Sequence, residues 1–420
     1  MISKAVLPFL VLVNSLVFGQ NPKTLQFIDT QYEAEIKTVR LHARDVVAGE
    51  FRPAVTKMGQ WNLILEFDDL TTERDSYNAR VIHCNSDWTP SGLRDLDYLT
   101  QYNEFPINSF EYSIDTHVPY VHYQFAVPPV KVSGNYLLVV YRGSDPDDII
   151  LSRRFMVYES LVTLARESNL VGGSLVASNQ QLNFTLTYQN LELINPLDNV
   201  RVTIRQNERW DNLVTDVKPA FFRENFHELE YRFFDSEKMF NGGNEFRFFD
   251  LRSLNYPGRN VERVDPSSIP WTVYLFKEKT RAGERYSQYL DLNGSFSSAN
   301  LDYRTNRASN YVNVVFTLAS PTPVQDGRVY VTGAFSNWQL NETTLMQYDA
   351  IQKVYRNTQL LKQGWYDYQF VVQSPTVPYL YFESSHFETE NVYEVFVYYR
   401  DYKRQNDLLI GYFVIPVNAR

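Results

Sequence analysis

The chain is 420 residues long, with 40 Lys and Arg against 49 Asp and Glu, a formal net charge of −9. It is 44% hydrophobic and 21% charged, and 15% of it is aromatic (30 Tyr, 28 Phe and 6 Trp), beside only 17 Gly and 1 Cys. This balance excludes a disordered scaffold, a helical bundle and a disulfide-stapled domain, and an acidic chain without a basic run argues against nucleic-acid or anionic-lipid binding.

The first residues read as an export signal. Lys4 precedes an almost wholly apolar stretch, residues 5–18, and Val17-Phe18-Gly19 places residues of modest size before Gln20. A signal peptide over residues 1–19 is expected, too short to span a bilayer. Gln20 stands where a bacterial lipoprotein carries Cys, and no later stretch has the length of a membrane-spanning helix. The expected product is an exported chain without a membrane anchor.

Short strands separated by turn signals follow. Residues 38–43, 61–67, 80–84, 110–114, 121–127, 136–141 and 154–158 form the first set. Trp61, Leu63, Leu65 and Phe67 alternate with polar or smaller neighbours, the period-two pattern of a half-buried strand. Ser133-Gly134-Asn135 and Asp145-Pro146-Asp147-Asp148 supply turn chemistry, and residues 89–99 read equally as a short helix or a loop. A second set covers 182–188, 200–206, 229–234, 245–251 and 271–276, with Leu182, Phe184, Leu186 and Tyr188 alternating. Residues 280–310 are polar, and a third set covers 311–318, 328–332, 365–372, 392–399 and 408–415. The expectation is an all-β chain of three consecutive immunoglobulin-like β-sandwich domains. They span 20–159, 160–280 and 311–420, with 281–310 a linker or long loop.

Nothing in this pattern selects a catalytic set. Cys84 lies in the apolar run Val81-Ile82-His83-Cys84 and reads as a buried, inert thiol. The six His residues are His42, His83, His117, His122, His227 and His386. His117 and His122 flank Pro119, but no second pair with metal-ligand spacing accompanies them. Nucleophile-elbow, phosphate-loop and dinucleotide motifs are absent from the sequence. No enzymatic activity, cofactor, metal or small-molecule substrate is expected.

The third set does carry a recognisable arrangement. Val329-Tyr330-Val331-Thr332-Gly333-Ala334-Phe335-Ser336-Asn337-Trp338 is followed by Gly364-Trp365-Tyr366-Asp367-Tyr368-Gln369-Phe370. These segments resemble early-set immunoglobulin-like domains of the glycogen-binding type. Gln369 stands where such modules carry a sugar-contacting Lys, and Ser374-Pro375-Thr376 where a second Trp follows. The resemblance therefore implies the fold more than the sugar site. An exported carbohydrate-binding protein using Trp338 and Trp365 is the alternative reading.

A wider set of segments, in order, comprises Val81 to Ser91, Tyr120-Val121-His122-Tyr123, Ser133-Gly134-Asn135-Tyr136 and Arg153-Arg154-Phe155. It continues through Asp291-Leu292-Asn293-Gly294, Lys362 to Tyr368, His386 to Asn391, Tyr398-Tyr399-Arg400 and Asp407 to Tyr412. Together these resemble the type 9 secretion system plug protein family of Bacteroidota. The resemblance implies a non-enzymatic periplasmic protein, peripheral to the outer membrane. Its partner would be a very large outer-membrane β-barrel translocon, whose periplasmic opening it would seal. Aromatic residues in loop-like segments are the expected contact residues. They are Phe221 and Phe222 beside Arg223, and Tyr379, Tyr381 and Phe382.

Overall fold

The structure, a computed structural model, describes residues 23–44, 49–167, 177–189, 191–232, 239–303 and 305–419. The expected signal peptide lies outside the described residues. The fold is all-β, as expected, and built of sandwiches.

In the first sandwich, one sheet joins Ile36–Ala43, Leu63–Asp69, Val121–Ala126 and Ser109–Tyr112. The other is centred on Tyr77–Cys84, Gly134–Arg142 and Ile149–Tyr158. Leu63, Leu65 and Phe67 point into the core, where Phe67 stacks on Tyr123 at 5.0 Å. Trp61 precedes the strand and is 43% exposed, so the alternation begins at Leu63 and not at Trp61. Gly134–Arg142 is buried on both faces. Leu138 and Val140 fill the sandwich, while Leu137 and Val139 pack with Cys84 beneath Leu25 and Phe27. Burial pushes the Cys84 thiol up to about 12, which leaves it protonated and inert.

The second sandwich packs Thr163–Arg166, Phe184–Thr187, Glu228–Tyr231 and Phe221–Arg223 on a sheet of different origin. In that sheet Val200–Gln206 pairs with Asn391–Asp401, which pairs with Asn406–Val417. The third sandwich sits between these halves in the chain. It packs Arg247–Asp250, Gly364–Gln373, Phe296–Ser298 and Arg328–Thr332 on a five-stranded sheet. That sheet is Val261–Asp265, Thr272–Leu275, Tyr311–Ala319, Val354–Lys362 and Gln347–Asp349.

This pairing corrects the contiguous division at 160–280, 281–310 and 311–420. Strands between 247 and 275 belong to the third sandwich, and the chain returns to the second after 390. Nor is 281–310 only a linker, because Phe296–Ser298 is a strand of the third sandwich. Alternation reports which face of a strand is buried, but not which distant strand it pairs with. The third core is aromatic: Phe249 stacks on Tyr366 at 5.2 Å, and Phe316 meets Tyr368 edge-on at 5.1 Å. Each fully buried ring of this kind contributes roughly 1.5–3 kcal/mol.

Candidate functional site

The three sandwiches converge on a cavity of about 850 Å³. Arg154, Arg205, Trp210 and Trp338 line its wall, and Trp88 and Arg209 stack on members of that set. From the first sandwich, Arg154 lies 4.0 Å from the Trp210 ring centre and 5.3 Å from that of Trp88. Trp88 meets Trp210 edge-on at 5.1 Å. From the second, Arg205 lies 4.3 Å over Trp210 and grips Glu394 at 2.6 and 2.8 Å. Arg209 lies 4.4 Å over Trp338 of the third sandwich and pairs with Asp211 at 2.6 Å. Such stacks are worth about 2 kcal/mol or more where water is excluded.

Glu208 also lines the cavity, in a turn where Asn207 and Glu208 take φ of 51° and 57°. Its side chain is exposed within the cavity, where the protein crowded around it and the Glu394 charge raise its carboxyl above the usual range. Arg205 and Arg154 are both committed to carboxylates, Arg154 to Asp29 at 3.1 Å. Among the described residues no group of three or more His, Cys, Asp and Glu side chains stands together as a metal site. The arrangement is therefore suited to joining the domains.

Buried ionic joints flank the cavity. Between the first and third sandwiches, Asp68 accepts from Lys362 Nζ at 2.7 Å, from the Tyr311 hydroxyl at 2.6 Å and from His122 Nδ1 at 2.7 Å. Lys362 also lies 4.1 Å over the Tyr120 ring. Between the first and second, Asp407 accepts from the Ser86 amide at 2.9 Å and its hydroxyl at 2.7 Å, while Tyr398 donates to Asn135 at 2.9 Å. Gly134 is required here. Its φ is +146°, and a Cβ would come within 2.5 Å of His83 Nε2. The polypeptide crosses between the second and third sandwiches beside Asn391, which donates to Gln180 at 3.0 Å and to the Gly242 carbonyl at 2.8 Å.

Many of the resemblance-bearing segments meet at these joints. Ser86, Asn135, Arg153, Arg154, Lys362, Asn391, Tyr398 and Asp407 each bond or stack across a domain boundary or beside a crossover. Single-sequence reading had no means of pairing them, since Asp68 and Lys362 are 294 positions apart and Ser86 and Asp407 321. Trp210, Arg205 and Asp68 carried no signal in the sequence beyond their residue type.

The residues singled out from sequence do not form one site. Phe221 is 54% exposed on an edge strand, Phe222 packs half-buried on the second core, and Arg223 pairs with Glu230. Tyr381 is 47% exposed and meets Phe382 edge-on at 4.9 Å, but Phe382 is 2% exposed and belongs to the third core. Its burial removes it from the expected contact set. The half-buried Tyr379 donates to Asp211 at 3.3 Å. No hydrogen bond, ion pair or ring contact joins the two segments among the described residues.

Trp338 is 6% exposed, wedged between Arg209 and Phe246, and offers no free ring face to a sugar. Gly294, at φ +82°, leaves the room its indole fills. Trp365 stacks on Phe248 at 4.6 Å and donates its indole N–H to Asp367 at 3.1 Å. The two rings of the alternative, sugar-binding reading are thus engaged in packing, because strand periodicity does not tell a ring facing a core from one facing solvent. His117 rests against Trp271 at 4.6 Å, and His122 serves the Asp68 joint.

Residues 36–159 match the family model for the type 9 secretion system plug protein 1st domain. Among solved structures, a hypothetical protein from Parabacteroides merdae, crystallised and solved at 2.30 Å, is 28% identical with a TM-score of 0.86. The alignment covers 94% of this chain and 100% of that one. No curated protein matches the chain.

Proposed function

We propose that this chain, whose first sandwich belongs to the type 9 secretion system plug family, is a non-enzymatic periplasmic subunit that seals the secretion barrel. Its partner in this reading is the large outer-membrane β-barrel of that system, covered at the periplasmic opening. The match over residues 36–159 carries the reading. The ionic joints support it, since a seal over a wide opening needs a broad body whose parts do not swing apart. No helix among the described residues is long and apolar enough to cross a membrane, which fits attachment through the barrel. Phe221 and Tyr381, the exposed members of the segments singled out above, are assigned to the contact.

Deletion of the gene is expected to make the cell leak large hydrophilic solutes. Entry of a bulky antibiotic excluded by the intact outer membrane measures it. The leak should vanish when the barrel is deleted as well. A deletion strain as tight as its parent, or a leak that persists without the barrel, contradicts the proposal.

A further inference from the structure

The strand Asn406–Val417 ends its sheet in the second sandwich, with Asn391–Asp401 bonded along one side of it. Val392 stands opposite Pro416 in that pairing, yet the Val392 N–H and carbonyl both bond to Asn207 on the far side, at 2.8 and 2.7 Å. The Pro416 carbonyl therefore faces outward, where it accepts from the Arg166 guanidinium at 2.9 Å. Inward and outward residues alternate along an antiparallel ladder, and the register is unbroken from Gly411 to Val417. The backbone groups of Tyr412 and Val414 face outward too. Among the described residues nothing bonds to the N–H or the carbonyl of either.

This open stretch is stopped at both ends. Residues 159–161 run beside its start, where the Glu159 N–H donates to the Leu409 carbonyl and the Leu161 N–H to the Ile410 carbonyl, both at 2.9 Å. At its end Pro416 has no N–H to offer. A covering segment and an edge proline are the devices that keep strand edges from pairing. Between them Val414 is 50% exposed, and the side chains of Tyr412 and Val414 both line the 850 Å³ cavity. Tyr412 is held in place: its hydroxyl donates to Glu394 at 2.9 Å, and its ring lies 5.3 Å from those of Phe396 and Tyr158. The edge is preorganised, so pairing with it costs little further ordering of this chain.

We infer that this edge takes an extended segment of the barrel protein, added as a further strand of the second sandwich at the rim of the central cavity. The N–H and carbonyl groups of Tyr412 and Val414 supply its hydrogen bonds. Alternate side chains of the segment point to the cavity side, where there is room for them. Only a main chain presents donors and acceptors at the spacing of a strand, so the occupant is a peptide and not a small ligand. The inference rests on the sealing reading and names one mode of contact within it.

Affinity capture from detergent-solubilised outer membranes, with the tagged full chain carrying Val414→Pro, tests it. Proline removes an N–H that has no internal partner, so the fold should hold, with circular dichroism as the check. Recovery of the barrel should fall about tenfold, whereas Val414→Ala, which keeps the N–H, should lower it no more than about twofold. Hydrogen exchange of the parent, free and in the captured complex, reads the same edge without a substitution. Residues 411–415 should exchange more slowly in the complex. Equal recovery with a folded Val414→Pro chain, or unchanged exchange over 411–415, overturns the inference and leaves the sealing reading standing. No barrel recovered by the parent overturns both. A concentration-dependent dimer of the parent that Val414→Pro abolishes gives the edge to a second copy of the chain, and also overturns the inference.

Discussion

Asp68→Asn should lower the stability of the chain by about 3–5 kcal/mol, the usual effect of breaking a buried ion pair from one side. Asp68 accepts from Lys362, Tyr311 and His122 together, and both Asp68 and Lys362 are buried. An amide in its place leaves the Lys362 ammonium between the Tyr120 and Tyr311 rings with no anion. Urea denaturation of the purified chain measures the change, and Asp68→Leu combined with Lys362→Met should recover most of it. A loss below about 1 kcal/mol, the range of exposed pairs, would mean that water reaches the joint.

The same joint makes stability depend on pH. Burial alone lowers the His122 pKa, but its bonds to Asp68 and Glu66 outweigh that and raise it from 6.5 to about 9. A group bound more tightly to its proton when folded stabilises fully below its unfolded pKa. That contribution is therefore present below about pH 6.5 and lost as pH rises through about 9. At the acid end, burial opposes ionisation of Asp68, but Lys362 and His122 hold its pKa below the usual value. Its contribution is present above the ordinary carboxylate range and lost in stronger acid. In Asp68→Asn the alkaline loss should shrink, because His122 has lost its principal partner.

Asp407→Ala should cost about 2–4 kcal/mol, through hydrogen bonds to a charged acceptor and the donors left unmet. Asp407 receives the Ser86 amide and hydroxyl across the boundary between the first two sandwiches, and Arg400 at 3.2 Å. Arg400 is partly exposed and can turn to water, whereas the Ser86 amide cannot readily do so. The Asp407 and Asp68 joints share no partner, so the two losses should add to within about 0.5 kcal/mol. Protease should cut between the first and second sandwiches sooner in Asp407→Ala than in the parent. Unchanged proteolysis and unfolding would show that this boundary is held by its other contacts, among them Met156 against Phe396, Tyr398 and Leu409 and Trp88 and Arg154 against Trp210.

Much of the fold was legible where the signal is local. Leu182, Phe184, Leu186 and Tyr188 alternate in sequence and are all buried in the second core. What escaped is set by distance along the chain. Asn391–Asp401 looks like any apolar strand, and nothing local assigns it to Val200–Gln206 instead of to the strands just before it. The insertion of the third sandwich was invisible for that reason. The joints escaped in the same way, since a lone Asp68 or Lys362 reads as an ordinary surface charge until the fold brings them together. Trp338, named for the alternative sugar-binding reading, and Phe382, named as a partner contact, are both buried, because segment-level aromatic content does not say which way a ring points.

The most direct measurement is affinity capture of the tagged chain from detergent-solubilised outer membranes, with captured proteins identified by mass spectrometry. The account predicts recovery of a very large β-barrel, diminished when Phe221 and Tyr381 are both replaced by Ser. Recovery of no barrel at any salt concentration, from membranes shown to contain it, would contradict the account.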